Sequence, residues 1–153
     1  MRVDHTARKF ALAFPARKRT ISTVEPTAQI RPIIFVVEDE PTLRALVRKV
    51  LERAGYDVVE APSGLAALEL WLQKKPHVDL LLTDMVMPDG ISGRQLAEKL
   101  KAENPRLKVI FTSGYSSDLI GKDFVVKEGL NFLQKPYPPQ LLVQTVRNSL
   151  QAE

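Results

Sequence analysis

The chain has 153 residues, 44% hydrophobic and 26% charged, which suits one ordinary domain with a sizeable core and a tail. It has no cysteine, so disulfides and thiolate metal sites are excluded and a reducing cytoplasm is the expected setting. No apolar run approaches the roughly 18 residues of a membrane span, and no secretory h-region follows the basic N-terminus.

The formal charge of +4 is unevenly spread. Residues 1–31 carry Arg2, Arg8, Lys9, Arg17, Lys18, Arg19 and Arg31 against only Asp4 and Glu25, whereas the rest is nearly balanced. This first stretch has no sustained periodicity and is broken by Pro15 and Pro26. It is predicted to be a mobile, disordered extension with a short helix around Thr6 to Phe14. Its charge comes without aromatic interleaving or a DNA-binding motif, so no nucleic-acid partner is expected. Residues 32–151 form the predicted domain.

Ile33 to Val37 is a β-branched and aromatic run, the pattern of a strand buried on both faces. Pro41 suits a first helical turn. Leu43, Leu46, Val47 and Val50 give that helix an apolar stripe, and Gly55 ends it. Tyr56 to Glu60 reads as a second strand. Ser63 caps a helix carrying Leu65, Leu68 and Leu72. Val78 to Thr83 is a third strand. Ser92 opens a helix through Leu96 and Leu100 that stops near Asn104-Pro105. Leu107 to Thr112 and Leu130 to Leu133 are the fourth and fifth strands, and a weak pattern between Ser116 and Glu128 calls for a helix between them. A last helix begins at Pro138 or Pro139, with Leu141, Leu142, Val146 and Leu150 on one face. Five alternations of strand and helix imply an α/β fold: a doubly wound five-stranded parallel sheet with helices on both faces.

In such sheets the ligand site lies at the carboxyl ends of the strands. Those ends carry Glu38-Asp39-Glu40, Thr83-Asp84, Thr112-Ser113-Gly114 and Gln134-Lys135-Pro136. Several carboxylates in one pocket repel, and burial adds a desolvation cost. Mg²⁺ relieves both, because it favours one or two carboxylates plus water and phosphate oxygens. A carboxylate beside the metal can attack phosphorus to form an acyl phosphate. An ammonium group such as Lys135 and a hydroxyl such as Ser113 can stabilise the transferring phosphoryl group.

Four segments resemble the motifs of bacterial response-regulator receiver domains. They are Val36-Val37-Glu38-Asp39-Glu40-Pro41, Leu82-Thr83-Asp84-Met85-Val86-Met87-Pro88, Ile110-Phe111-Thr112-Ser113-Gly114-Tyr115 and Phe132-Leu133-Gln134-Lys135-Pro136. The last two are similar to receivers attached to hybrid histidine kinases. The resemblance covers about Pro32 to Leu150 and implies a flavodoxin-like strand order 2-1-3-4-5. It implies Asp84 as phosphoacceptor and Asp39 as direct Mg²⁺ ligand. Glu38 would act on the metal directly or through water, and the Val86 backbone carbonyl would complete the protein's share of the shell. Lys135 is implied to contact the phosphoryl group, with Ser113 as the conserved hydroxyl (Thr112 the alternative) and Phe132 as the switch aromatic. The implied partner is a histidine kinase or histidine phosphotransfer protein. The implied output is conformational change or onward transfer, from a signalling domain that promotes its own phosphorylation and dephosphorylation. No effector domain is recognisable after Leu150.

Three departures from the family pattern stand out: Glu38 where Asp is commoner, a loop Asp89–Gly93 one residue longer than usual, and Phe132 without the hydroxyl of some relatives. Other readings fare worse. A dinucleotide site needs a glycine-rich turn after the first strand, where this chain has acids that would repel a pyrophosphate. Aspartyl phosphatases place a second acid two positions after the nucleophile, where this chain has Val86. A degenerate receiver is opposed by Asp39, Asp84 and Lys135. Glu40 reads as a helix-start acid favoured by the dipole, Trp71 as packing, His5 and His77 as isolated surface residues, and Lys74-Lys75 as an ordinary helix end.

Overall fold

The computed structural model describes residues 28–88, 90–115 and 125–153. The helix predicted around Thr6 to Phe14 and most of that predicted between Ser116 and Glu128 lie outside them. The chain divides into two compact units, Met1–Ile30 and Arg31–Glu153, and the sheet belongs to the second.

Its elements run β1 (Ile33–Val37), α1 (Pro41–Arg53), β2 (Asp57–Ala61), α2 (Gly64–Lys74), β3 (Leu80–Asp84), α3 (Gly93–Glu103), β4 (Lys108–Ser113), β5 (Phe132–Gln134) and α4 (Pro139–Gln151). All strand pairs are parallel, in the order β2-β1-β3-β4-β5, as expected. Strand alternation sends successive side chains to opposite faces, and each face has its own core. Phe35, Val37, Leu81, Phe111 and Phe132 pack with Ala67 and Trp71 of α2 and Leu96, Ala97 and Leu100 of α3. Ile34, Val36, Leu80, Leu82, Ile110 and Leu133 pack with Val47 and Leu51 of α1 and Leu142 and Val146 of α4.

Local chemistry sets the helix starts. Ser63 Oγ accepts from Ala66 N at 3.1 Å. Ser92 forms a capping box with Gln95, each side chain accepting from the other's backbone N–H at 3.0–3.1 Å, which satisfies two otherwise unpaired donors. Lys75 ends α2 in the left-handed conformation, φ 40°, so that end is less ordinary than the sequence suggests. His77 is exposed but not isolated: its Nε2 lies 3.3 Å from Asp79 Oδ1.

The later strands start and stop one or two residues beyond their apolar runs. Val78, Leu107 and Leu130 were predicted within strands, yet the ladders open at Leu80, Lys108 and Phe132. Val78 and Leu107 are nevertheless buried. Hydrophobicity marks what enters the core, whereas the ladder is decided by which backbone groups find a partner. Arg31 shows the reverse effect. Its guanidinium donates to the carbonyls of Gly55, Glu52 and Tyr56 at 2.9–3.1 Å and pairs with Asp57 at 3.3 Å, fastening it to the domain.

Candidate functional site

Strand alternation continues to the carboxyl rim. It carries Glu38, Asp84, Thr112 and Lys135 toward the α1–α4 side, and Ser113 toward the face of Phe111 and Phe132. Thr112 accordingly lines a small void with Glu38, Val47 and Tyr137. Backbone bonds lash the strand ends together: Met85 N donates to Thr112 O at 2.9 Å, and Lys135 N to Ser113 O at 2.7 Å.

On this frame the Lys135 ammonium bridges two acids. Its Nζ donates to Glu38 Oε2 and to Asp84 Oδ2, each at 2.8 Å. The two carboxylates are buried, at 5% and 8% exposure. Their other oxygens are also held, Glu38 Oε1 by Glu40 N and Asp84 Oδ1 by Val86 N, both at 3.2 Å. Asp39 is exposed beside them, and one carboxylate oxygen from each of Glu38, Asp39 and Asp84 lies within 4.8 Å of the others. Three carboxylates against one ammonium leave an excess of two negative charges. An all-oxygen donor set with that excess suits a hard divalent cation.

Electrostatics records the crowding. Burial pushes the Glu38 carboxyl above its usual range, only partly opposed by its hydrogen bonds to Lys135 and Glu40. Burial also pulls on Lys135, but the bonds to Asp84 and Glu38 together outweigh it and hold the ammonium above its ordinary value. Tyr137, two residues on, has its phenol pushed up to about 12, chiefly by burial. Glu40 plays the separate part expected of it. Its carboxylate accepts from the Leu43 and Thr42 amides at the start of α1, which lowers its pKa.

Residues 34–147 match the response regulator receiver domain family. The chain belongs to that family. Similar curated proteins include the sensor kinase CckA of Brucella abortus (strain 2308), 34% identical over 120 residues, which are 78% of this chain and 13% of that protein. The response regulator receiver protein CpdR of the same strain is 34% identical over 117 residues, 76% of this chain and 95% of that one. The chain therefore spans nearly all of CpdR but a small part of the kinase. Among solved structures, the receiver domain of hybrid histidine kinase CckA gives a TM-score of 0.64 at 34% identity, covering 78% of this chain and 99% of that one. A receiver domain protein from Clostridium thermocellum gives 0.67 at 30%, covering 78% and 94%. Phosphoryl acceptance in two-component signalling is the general function of such domains.

In this receiver the remaining candidate residues divide between the rim and the opposite face of the sheet. Ser113 is buried and its Oγ accepts from Tyr115 N at 3.0 Å. Phe132 is fully buried in the α2–α3 core and pairs in register with Phe111. The Val86 side chain is exposed while its amide holds Asp84. The parts that two residues of this receiver play escaped the sequence reading. Thr83, fully buried, donates its hydroxyl to Asp84 O at 3.0 Å. Gly93 brings the start of α3 so close to the same carbonyl that a Cβ there would lie 1.9 Å from Asp84 O. Its amide donates to Met85 O at 3.1 Å. The available signal was a glycine, a poor helix former, just inside a helix already capped by Ser92.

Among the described residues, no helix is long and apolar enough to cross a membrane.

Proposed function

We propose that this receiver takes a phosphoryl group onto Asp84 from a phosphohistidine of a histidine kinase or histidine phosphotransfer protein, with Mg²⁺ at the acidic cluster. The observation that supports this reading is the double bridge of Lys135 to Glu38 and Asp84 beside Asp39.

Asp39, Asp84 and Glu38 would hold the cation with the Val86 backbone carbonyl. When bound, Mg²⁺ supplies charge neutralisation for carboxylates and phosphoryl oxygens that otherwise repel. Asp84 attacks phosphorus through a carboxylate oxygen. An O–P bond forms as the donor's P–N bond breaks, and the leaving imidazole keeps the electron pair. Lys135, already 2.8 Å from Asp84, donates to a phosphoryl oxygen as negative charge spreads over the group. The double bridge keeps the ammonium at that spot beforehand, so little rearrangement accompanies the transfer. Ser113 exchanges its bond from Tyr115 N for donation to the phosphoryl group, a charge-assisted bond worth roughly 1.5–3 kcal/mol. That is enough to bias two nearby conformations about tenfold or more. Because Phe132 shares Ser113's face and is already inward, the switch runs from a buried ring. The signal then leaves by conformational change or by onward transfer.

Acetyl phosphate with MgCl₂ should add one phosphoryl group by intact-mass measurement. Asp84→Asn should abolish the addition, and chelating the metal should stop it in the wild type. Labelling of Asp84→Asn at the wild-type rate would overturn the assignment, and metal-independent labelling would remove Mg²⁺ from it.

A further inference from the structure

Asp84 and Val86 stand at the end of β3, and Ile91 belongs to the loop segment that leads into α3. Ile91 lies over the first turn of α2. A Cβ built on Gly64 would fall 2.8 Å from Ile91 O, 3.1 Å from Ile91 Cβ and 3.2 Å from Ile91 Cγ2. The nearest of these atoms is backbone, so a side chain at residue 64 cannot be accommodated by turning a rotamer. The loop or the helix has to move.

The helix is the less free of the two. Ser63 caps it, and Ala67 and Trp71 are buried in the core beneath it. At its other end the Trp71 indole N–H donates to Glu103 Oε2 at 3.0 Å, tying it to the end of α3. Ile91 itself packs against the same core. The ground next to α2 is therefore fixed at two points, and the loop is the part that gives. Two residues on, Gly93 comes so close to Asp84 O that a Cβ there would fall 1.9 Å from it, and its amide donates to Met85 O at 3.1 Å. A shift at Ile91 would therefore reach Asp84 and Val86 through Gly93.

We propose that Gly64, twenty positions before Asp84 and on a different element, is a positioning residue for the acidic site. Its missing side chain lets α2 seat Ile91 and thereby sets how Gly93 meets the backbone of Asp84 and Met85. This inference rests on the reading of Glu38, Asp39 and Asp84 as the cation site, and its test separates the two.

The experiment titrates MgCl₂ into the full chain without phosphodonor and follows backbone amide shifts at Val86. Acetyl phosphate then gives the initial phosphorylation rate as a function of Mg²⁺. Gly64→Ala should raise the half-saturating Mg²⁺ concentration about three- to tenfold, as expected for a sub-ångström displacement of a ligating loop. Ile91→Ala, which removes the seated side chain from the loop and leaves α2 untouched, should raise it in the same direction by a smaller factor, and keeps the test open if Gly64→Ala folds poorly. Leu72→Gly, at an exposed site near the end of the same helix, should lower the thermal midpoint without changing the Mg²⁺ midpoint. The proposal is overturned if Gly64→Ala and Ile91→Ala leave the Mg²⁺ midpoint where Leu72→Gly leaves it. A wild type whose Val86 amide ignores Mg²⁺ would instead overturn the cation reading and this inference with it.

Discussion

The two cores and the carboxyl rim are built on the same five strands and obey opposite rules. In the cores the packed strand side chains are mostly apolar, and burial itself is the stabilising term. At the rim the next residues along those strands are Glu38, Asp84 and Lys135, and burial opposes them. It is the largest influence on both Glu38 and Lys135, and for each it is opposed by a partner from a distant segment of the chain. Stability made in the middle of the sheet sustains an arrangement at its edge that would not hold together alone.

The contrast can be sharpened by deletion. Phe35 is fully buried at the centre of the α2–α3 core, and Phe35→Ala should cost about 3–5 kcal/mol by urea unfolding, with or without Mg²⁺. A cost below about 1 kcal/mol would mean that the site collapses far better than cores usually do. Lys135→Met attacks the rim. It leaves two buried carboxylates facing each other without their shared cation, although the lysine side chain is 22% exposed. The loss should be about 2 kcal/mol, below the 3–5 kcal/mol typical of a fully buried pair. Added Mg²⁺ should recover much of it. Recovery of the same size in Phe35→Ala would erase the distinction between the two regions. The smallest effect belongs to a polar handle in the α2–α3 core. Trp71→Phe removes the indole donor to Glu103 while keeping an aromatic ring, and should cost about 1 kcal/mol. A neutral result would show that Glu103 re-partners with water.

Much of the site was legible in the sequence because its residues flank strands that announce themselves. β1 was read at its observed bounds, and Glu38, Asp39 and Asp84 follow from where apolar runs give way to acids. The caps at Ser63 and Ser92 were readable because a helix start satisfies its donors locally. The strand order β2-β1-β3-β4-β5 was implied by the resemblance to receivers and not by any local pattern, since alternation along a strand gives a side chain's face but not the strand's neighbours.

What the sequence by itself determined, then, was much of what is set by neighbours a few residues away: the alternation of strands and helices, the caps, the apolar faces and the order of polar residues at the strand ends. The tertiary structure alone decided what depends on distance through space. Lys135 meets Glu38 across 97 residues and Asp84 across 51, and no local pattern states that one ammonium lies 2.8 Å from both. The close approach of Gly93 to Asp84 O and of Gly64 to Ile91 is equally silent in sequence, because a glycine there looks like any other until the opposing backbone is in place. Arg31 reads as part of a basic tail by charge and becomes part of the domain only when the carbonyls of Glu52, Gly55 and Tyr56 are gathered around it. The physical reason is common to all of them. Periodicity and capping are short-range energies written into consecutive residues, whereas a charge's partner and a side chain's clearance are set by chain segments that only the packed sheet brings together.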